Sequence, residues 1–203
     1  MPIQWCMRKK HLILLSLWFL TSFVLIGMIH SWHSLALNPE TKEDAQKLSA
    51  IINTENWGKI HIIASGCGCS KYLAKYLSKR GPAKNHSEKV LFLGPNKPYI
   101  DELKASGFPV ESYLEEEFKN FTGMISGVPL LVIHDDQKNV KYAGGYSSTM
   151  LNSTTRYQDK EIFKRIRNSK KYQELPAIGC AVGSKIIKLI DPLGLKYSGV
   201  KND

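Results

Sequence analysis

Cysteine is scarce in this chain, with four among 203 residues, and those four are scattered as Cys6, Cys67, Cys69 and Cys180. A scaffold stapled by several disulfides is thereby excluded. Acidic residues are also few, 18 against 28 lysines and arginines, giving a net charge of +10. The longest basic clusters, around Lys79–Lys84 and Lys164–Lys171, lack the interleaved aromatics on which single-strand binders stack bases. No nucleic-acid partner is therefore expected, and a solvated surface or anionic headgroups account for the charge. No internal repeat occurs, which argues against a repeat array. Long apolar runs are missing too, apart from one near the N-terminus. With 43% hydrophobic and 23% charged residues, the chain as a whole falls in the ordinary globular range, and the length that remains beyond that run suits one compact domain.

The exception runs from Leu12 to Ile29 (LILLSLWFLTSFVLIGMI), 18 uncharged residues, close to the ~20 that span a bilayer as a helix. Arg8, Lys9 and Lys10 precede it, and no lysine or arginine follows until Lys42. The positive-inside rule then sets residues 1–11 as an inner basic tail and 12–31 as the segment contacting the lipid bilayer. The rest faces the extracytoplasmic side, the periplasm in a Gram-negative cell. Ser34, Leu35 and Ala36 offer small residues at which a signal peptide could be cleaved, but the apolar run exceeds a usual signal core and favours a retained anchor. Either reading places the domain in the same compartment.

Residues 32–56 read as a linker with a short amphipathic lead-in helix carrying Leu48, Ile51 and Ile52. KIHIIA (59–64) suits a buried strand, SGCGCS (65–70) a tight loop, and KYLAKYLSKR a helix stopped by Gly81-Pro82. A strand at 89–93, a helix at 98–106 closed by Gly107 and a short extended piece at 108–113 follow. After a short helix at 115–121, strands at 130–134 and 140–144 flank the hairpin signal Asp135-Asp136-Gln137-Lys138-Asn139. A helix is expected from Asp159 to about Arg167. The tail holds Cys180 in an apolar loop before a short helix, SKIIKLI. Strand–helix alternation implies an α/β domain with a βαβ crossover.

Two cysteines at a strand-to-helix turn carry chemistry. A thiol in a helix's first turn meets free N–H groups and partial positive charge, which favour the thiolate, the species that attacks disulfides. Gly66 and Gly68 leave room for another backbone. Structural or buried cysteines are the plainer alternative.

The segments SGCGCSKYLAKYL and SGVPLLVIHDDQKNVKYAGGY, with this element order, resemble the thioredoxin-like superfamily over residues 57–168. The resemblance implies a thioredoxin-like sheet with flanking helices, preceded here by a single N-terminal transmembrane helix, with residues 169–203 as a C-terminal extension. It implies a cis Val128-Pro129 bond facing the cysteines and backbone groups there for an extended peptide. It makes Cys67 the nucleophile, as the more exposed thiol, and Cys69 the resolving thiol. One glycine separates the cysteines where the family has two residues, so a disulfide between them is expected to be strained and easily reduced. The acidic residue that the family buries behind the pair is replaced in ungapped counting by His61.

The expected function is a membrane-tethered thiol-disulfide oxidoreductase acting on cysteines of exported proteins and reset by a membrane redox partner, with no cofactor. Catalysis is assigned to Cys67 and Cys69 and substrate binding to Val128 and Pro129. Cys180 is a candidate third thiol, resolving a disulfide, completing a metal site or simply buried. Two rivals stand beside it: a copper-binding assembly factor using Cys67 and Cys69 as soft ligands, and a non-catalytic adaptor. No histidine has a recognised ligand spacing to the pair, so no metal site is assigned.

Overall fold

The computed structural model describes residues 3–33, 35–37, 46–114, 117, 125–182, 187–188 and 191. The chain divides into two units, before and after the Ser34–Leu35 junction.

The first unit is helix α1 (Ile3–His33). Its stretch Lys10–Gly27 has a mean hydropathy of 1.7 and is wholly unburied by protein. At ~1.5 Å per residue those residues reach about 27 Å, near the ~30 Å of a bilayer's hydrocarbon core. Its polar side chains bond back onto the helix: Ser16 donates to Leu12 O at 2.9 Å and Thr21 to Leu17 O at 3.0 Å. This helix is long and apolar enough to cross a membrane.

The second unit begins with strand β1 (Leu35–Leu37) and a turn of 3-10 helix at Leu48–Ile51. Strand β2 (Gly58–Ala64), helix α2 (Gly68–Arg80), strand β3 (Ser87–Leu93), helix α3 (Lys97–Ala105) and strand β4 (Val110–Tyr113) follow. Then come β5 (Gly127–Val128), β6 (Leu130–His134), β7 (Val140–Gly144), α4 (Asp159–Arg167) and β8 (Ala177–Ala181). The central sheet has the order β4-β3-β2-β6-β7, with β2 parallel to β3 and antiparallel to β6. Because β2 is hydrogen-bonded along both edges, it tolerates the nearly continuous burial its sequence shows.

Local chemistry explains the elements. Cys69, Leu73 and Leu77, with Ser70 and Ala74, form the buried stripe of α2 at a spacing of four. In the β6–β7 hairpin, Asp135 Oδ1 accepts from the amides of Gln137 (3.0 Å) and Asn139 (2.8 Å), closing the turn. Ile60, Ile62, Leu73, Leu77, Leu91, Leu131 and Val132 are fully enclosed in the core.

A second, three-stranded sheet has the order β1-β8-β5. The tail enters it along a route cut by glycines. The Gly145 amide donates to Leu175 O at 2.8 Å, and a Cβ at Gly145 would collide with Pro176 O. A Cβ at Gly144 would lie 2.7 Å from Leu175 O.

The hairpin and the helix at 159–167 lie where the sequence predicts them. Of the lead-in helix, the described residues are Gln46 and Lys47, which are helical, and the 3-10 turn at Leu48–Ile51 that follows, while residues 38–45 lie outside the described residues. One expectation changes. Cys180 lies on a strand rather than in a loop, because β8 finds partners on both edges. The helix expected at 115–121 and most of SKIIKLI fall outside the described residues.

Candidate thiol site

Strand β2 ends at Ala64, and the chain turns at Ser65-Gly66, where Gly66 adopts φ +74. That left-handed conformation favours glycine. Cys67 then caps α2 in an extended conformation (φ −90, ψ 115), and its carbonyl accepts the first helical bond from Lys71 N–H at 3.1 Å. Cys69 stands in the first turn.

Facing this turn, the Val128-Pro129 peptide bond is cis. The Cys67 thiol donates to Val128 O across 3.6 Å. Strand β8 runs antiparallel to β5 with Cys180 opposite Val128 and Ala181 opposite Gly127. The thiols of Cys180 and Cys69 both hydrogen-bond Cys67. Three cysteines therefore converge, with Cys67 in the middle, and none of the three is in a disulfide.

Hydrogen bonds from Cys180 and then Cys69, joined by the Ser70 amide and hydroxyl, pull the Cys67 pKa far below the ordinary thiol value against the opposing effect of burial. Cys69 moves the other way, raised by its bond to Cys67 and by burial. Of the two, Cys67 is the sulfur on which the negative charge is favoured.

Cys67 is not the more exposed thiol. It is 4% exposed and Cys69 6%, whereas Cys180 is intermediate. The β5–β8 pair lies against Cys67, and the Leu151 amide reaches Cys69. A pocket of about 270 Å³ lined by Gly66, Gly68, Lys71, Asn96 and Tyr99 borders Cys67.

Behind the thiol site lies a charged cluster that the sequence analysis did not assemble. Lys59 and Glu88 are register partners on β2 and β3, and Lys59 Nζ lies 2.8 Å from Glu88 Oε1 and 3.2 Å from Asp159 Oδ2. Arg80 from α2 pairs with the same two carboxylates. His61 Nε2 lies 2.8 Å from Glu88 and its Nδ1 2.9 Å from the Tyr146 hydroxyl. Burial pushes Glu88 and Asp159 upward in pKa, but His61, Arg80 and Lys59 outweigh it and hold both below the ordinary carboxylate range. Burial lowers the His61 pKa, against the opposing pull of its bond to Glu88. A buried carboxylate is thus present after all, supplied by β3 rather than β2. The signal was there in alternation: Lys59 and His61 share one face of an otherwise apolar strand. His61, Glu88 and Asp159 have metal-ligating atoms within 4.8 Å of one another, but Lys59 and Arg80 already neutralise the carboxylates.

Neither protein-family models nor curated proteins give a match to the chain. Among solved structures, a hypothetical protein from Sinorhizobium meliloti is 14% identical with a TM-score of 0.46, over 74% of this chain and 96% of that one. An uncharacterized conserved protein from Geobacillus kaustophilus is 15% identical with a TM-score of 0.43, over 74% and 88%. A thiol:disulfide interchange protein of the thioredoxin family from Chlorobium tepidum is 14% identical with a TM-score of 0.37, over 66% and 92%.

The strand order, the β6–β7 hairpin followed by α4 and the cis-proline beside a helix N-terminus define a thioredoxin-like fold. An apolar helix precedes it.

Proposed function

We propose that this chain is a membrane-tethered thiol-disulfide oxidoreductase acting on cysteines of exported proteins. The observation that carries the reading is the place of Cys67, at the N-terminus of α2, against the cis Val128-Pro129 bond and hydrogen-bonded with two further cysteines, a setting that favours its thiolate. A stabilised thiolate is both the attacking group in disulfide exchange and a good leaving group when the disulfide is reopened. Val128 and Pro129 border it and orient the incoming sulfur. The charged cluster around Glu88 is a fixed polar floor for the sheet. α1 holds the domain at the membrane, and the basic residues before it put the domain on the extracytoplasmic side, within reach of a membrane redox partner.

The same soft sulfurs would ligate Cu(I), so copper handling is the rival chemistry. One experiment separates them. In a Cys69→Ser/Cys180→Ser double variant, Cys67 has no partner in the domain to release it, and mixed disulfides with cysteine-containing exported proteins should accumulate. They should vanish when Cys67→Ser is added. An absence of mixed disulfides, with one-to-one Cu(I) uptake by the wild-type chain that needs both Cys67 and Cys69, would replace the exchange reading with metal delivery.

A further inference from the structure

The backbone edge of β5 beside Cys67 is occupied by the chain itself. β8 pairs with Gly127-Val128 in antiparallel register, and the Val182 amide extends the ladder by donating to Ser126 O at 3.0 Å. This docking is built into the sequence. A Cβ at Gly179 would collide with Val128 O and lie 2.8 Å from Pro129 Cδ, so only glycine lets β8 come this close. Gly144 and Gly145 clear the approach of Leu175 and Pro176. The register sets Cys180 opposite Val128, the residue whose carbonyl accepts from the Cys67 thiol, and the Cys180 thiol meets Cys67 there.

We propose that Cys180, rather than Cys69, is the disulfide partner of Cys67, delivered by β8 to the edge of β5. The inference rests on the exchange reading above and names the resolving thiol. A Cys67–Cys69 bond must close across a single glycine and draw Cys69 out of the first turn of α2, where the Leu151 amide also holds it. A Cys67–Cys180 bond joins side chains that already meet, with β8 held in register against β5.

The step balances with an external disulfide R–S–S–R′ as oxidant. Cys67 thiolate attacks one sulfur, forming Cys67–S–S–R and releasing R′–S⁻, which takes a proton from water. Cys180 loses its proton to solvent and attacks Cys67 Sγ. The Cys67–Cys180 bond forms and R–S⁻ leaves, taking up a proton. Two electrons pass from the two thiols of this chain to the external disulfide, which departs as two thiols.

Tryptic mapping of the full-length chain in detergent tests this. Cys67 and Cys69 share the peptide Ile60–Lys71, and Cys180 lies on Tyr172–Lys185. After equilibration with oxidised glutathione and alkylation of remaining thiols, the two peptides should be joined, exceeding the internally bridged Ile60–Lys71 roughly tenfold. The join should survive Cys69→Ser and disappear in Cys67→Ser. It should fall severalfold in Gly179→Ala, which lifts β8 while keeping every thiol. An internally bridged Ile60–Lys71 with Tyr172–Lys185 fully alkylated overturns the proposal and leaves the exchange reading intact. Absence of any reversible disulfide overturns both.

Discussion

Three donors surround the sulfur of Cys67, namely the Cys180 thiol, the Cys69 thiol and Ser70, and each favours the anion. Removing the first should therefore move its titration. In Cys180→Ala, the thiolate absorbance assigned to Cys67 should titrate upward by about one unit or more, toward the ordinary ~8.5 of a thiol. Followed in the ultraviolet against pH, the wild-type chain should already carry that absorbance at pH ~6, and Cys67→Ser should lack it. A wild-type chain with no thiolate until pH ~8.5 would contradict the assignment. Glu88 provides the second prediction at this scale. Glu88→Gln leaves Lys59 and Arg80 buried with one carboxylate between them, and should cost roughly 3–5 kcal/mol in denaturant unfolding. Glu88 and Asp159 both titrate below their unfolded values. Their contribution is complete above pH ~5 and drains away as the pH falls below ~4 through the folded values. The stability of Glu88→Gln should accordingly depend less on pH across that acid range than that of the wild type.

Elements differ in how much of them the sequence discloses. β2, α2, the β6–β7 hairpin and α4 follow from patterns within a dozen residues: an apolar run, a spacing of four, an acidic turn, a charged amphipathic stretch. β8 could not be read that way. AIGCA has no alternation, and its strand conformation comes from partners at Leu35–Leu37 and Gly127-Val128, far away in sequence. The charged cluster is legible only in its β2 half, Lys59 and His61 on one face, since Glu88 and Asp159 join them only once β2, β3 and α4 are assembled. Gly145→Ala tests the element directly. The added methyl meets Pro176 O, so overpacking should cost about 1–3 kcal/mol. Amide exchange at 177–181 should accelerate well beyond that of β2, and equal protection in the two strands would contradict the proposed docking route.

At the scale of the molecule, the chain joins an apolar helix to a thioredoxin-like body. α1 satisfies its own polar groups and buries nothing against protein in Lys10–Gly27, as a lipid-facing helix should. Arg8, Lys9 and Lys10 precede its apolar stretch, which is the inner side in the tethered arrangement proposed above. In a Gram-negative host the full chain should stay with membranes through an alkaline carbonate wash, and protease added to spheroplasts should degrade the body. Recovery in the soluble fraction, or protection until lysis, would contradict the tethered, outward-facing arrangement.

Most direct of all is a redox titration of the full-length chain in glutathione buffers, read by thiol trapping and mass. A single reversible two-electron transition that requires Cys67 is the result this account predicts, and its midpoint would set whether the chain oxidises or reduces its partners. Thiols that stay reduced across the whole range, in a chain that binds Cu(I) tightly and one to one, would contradict it.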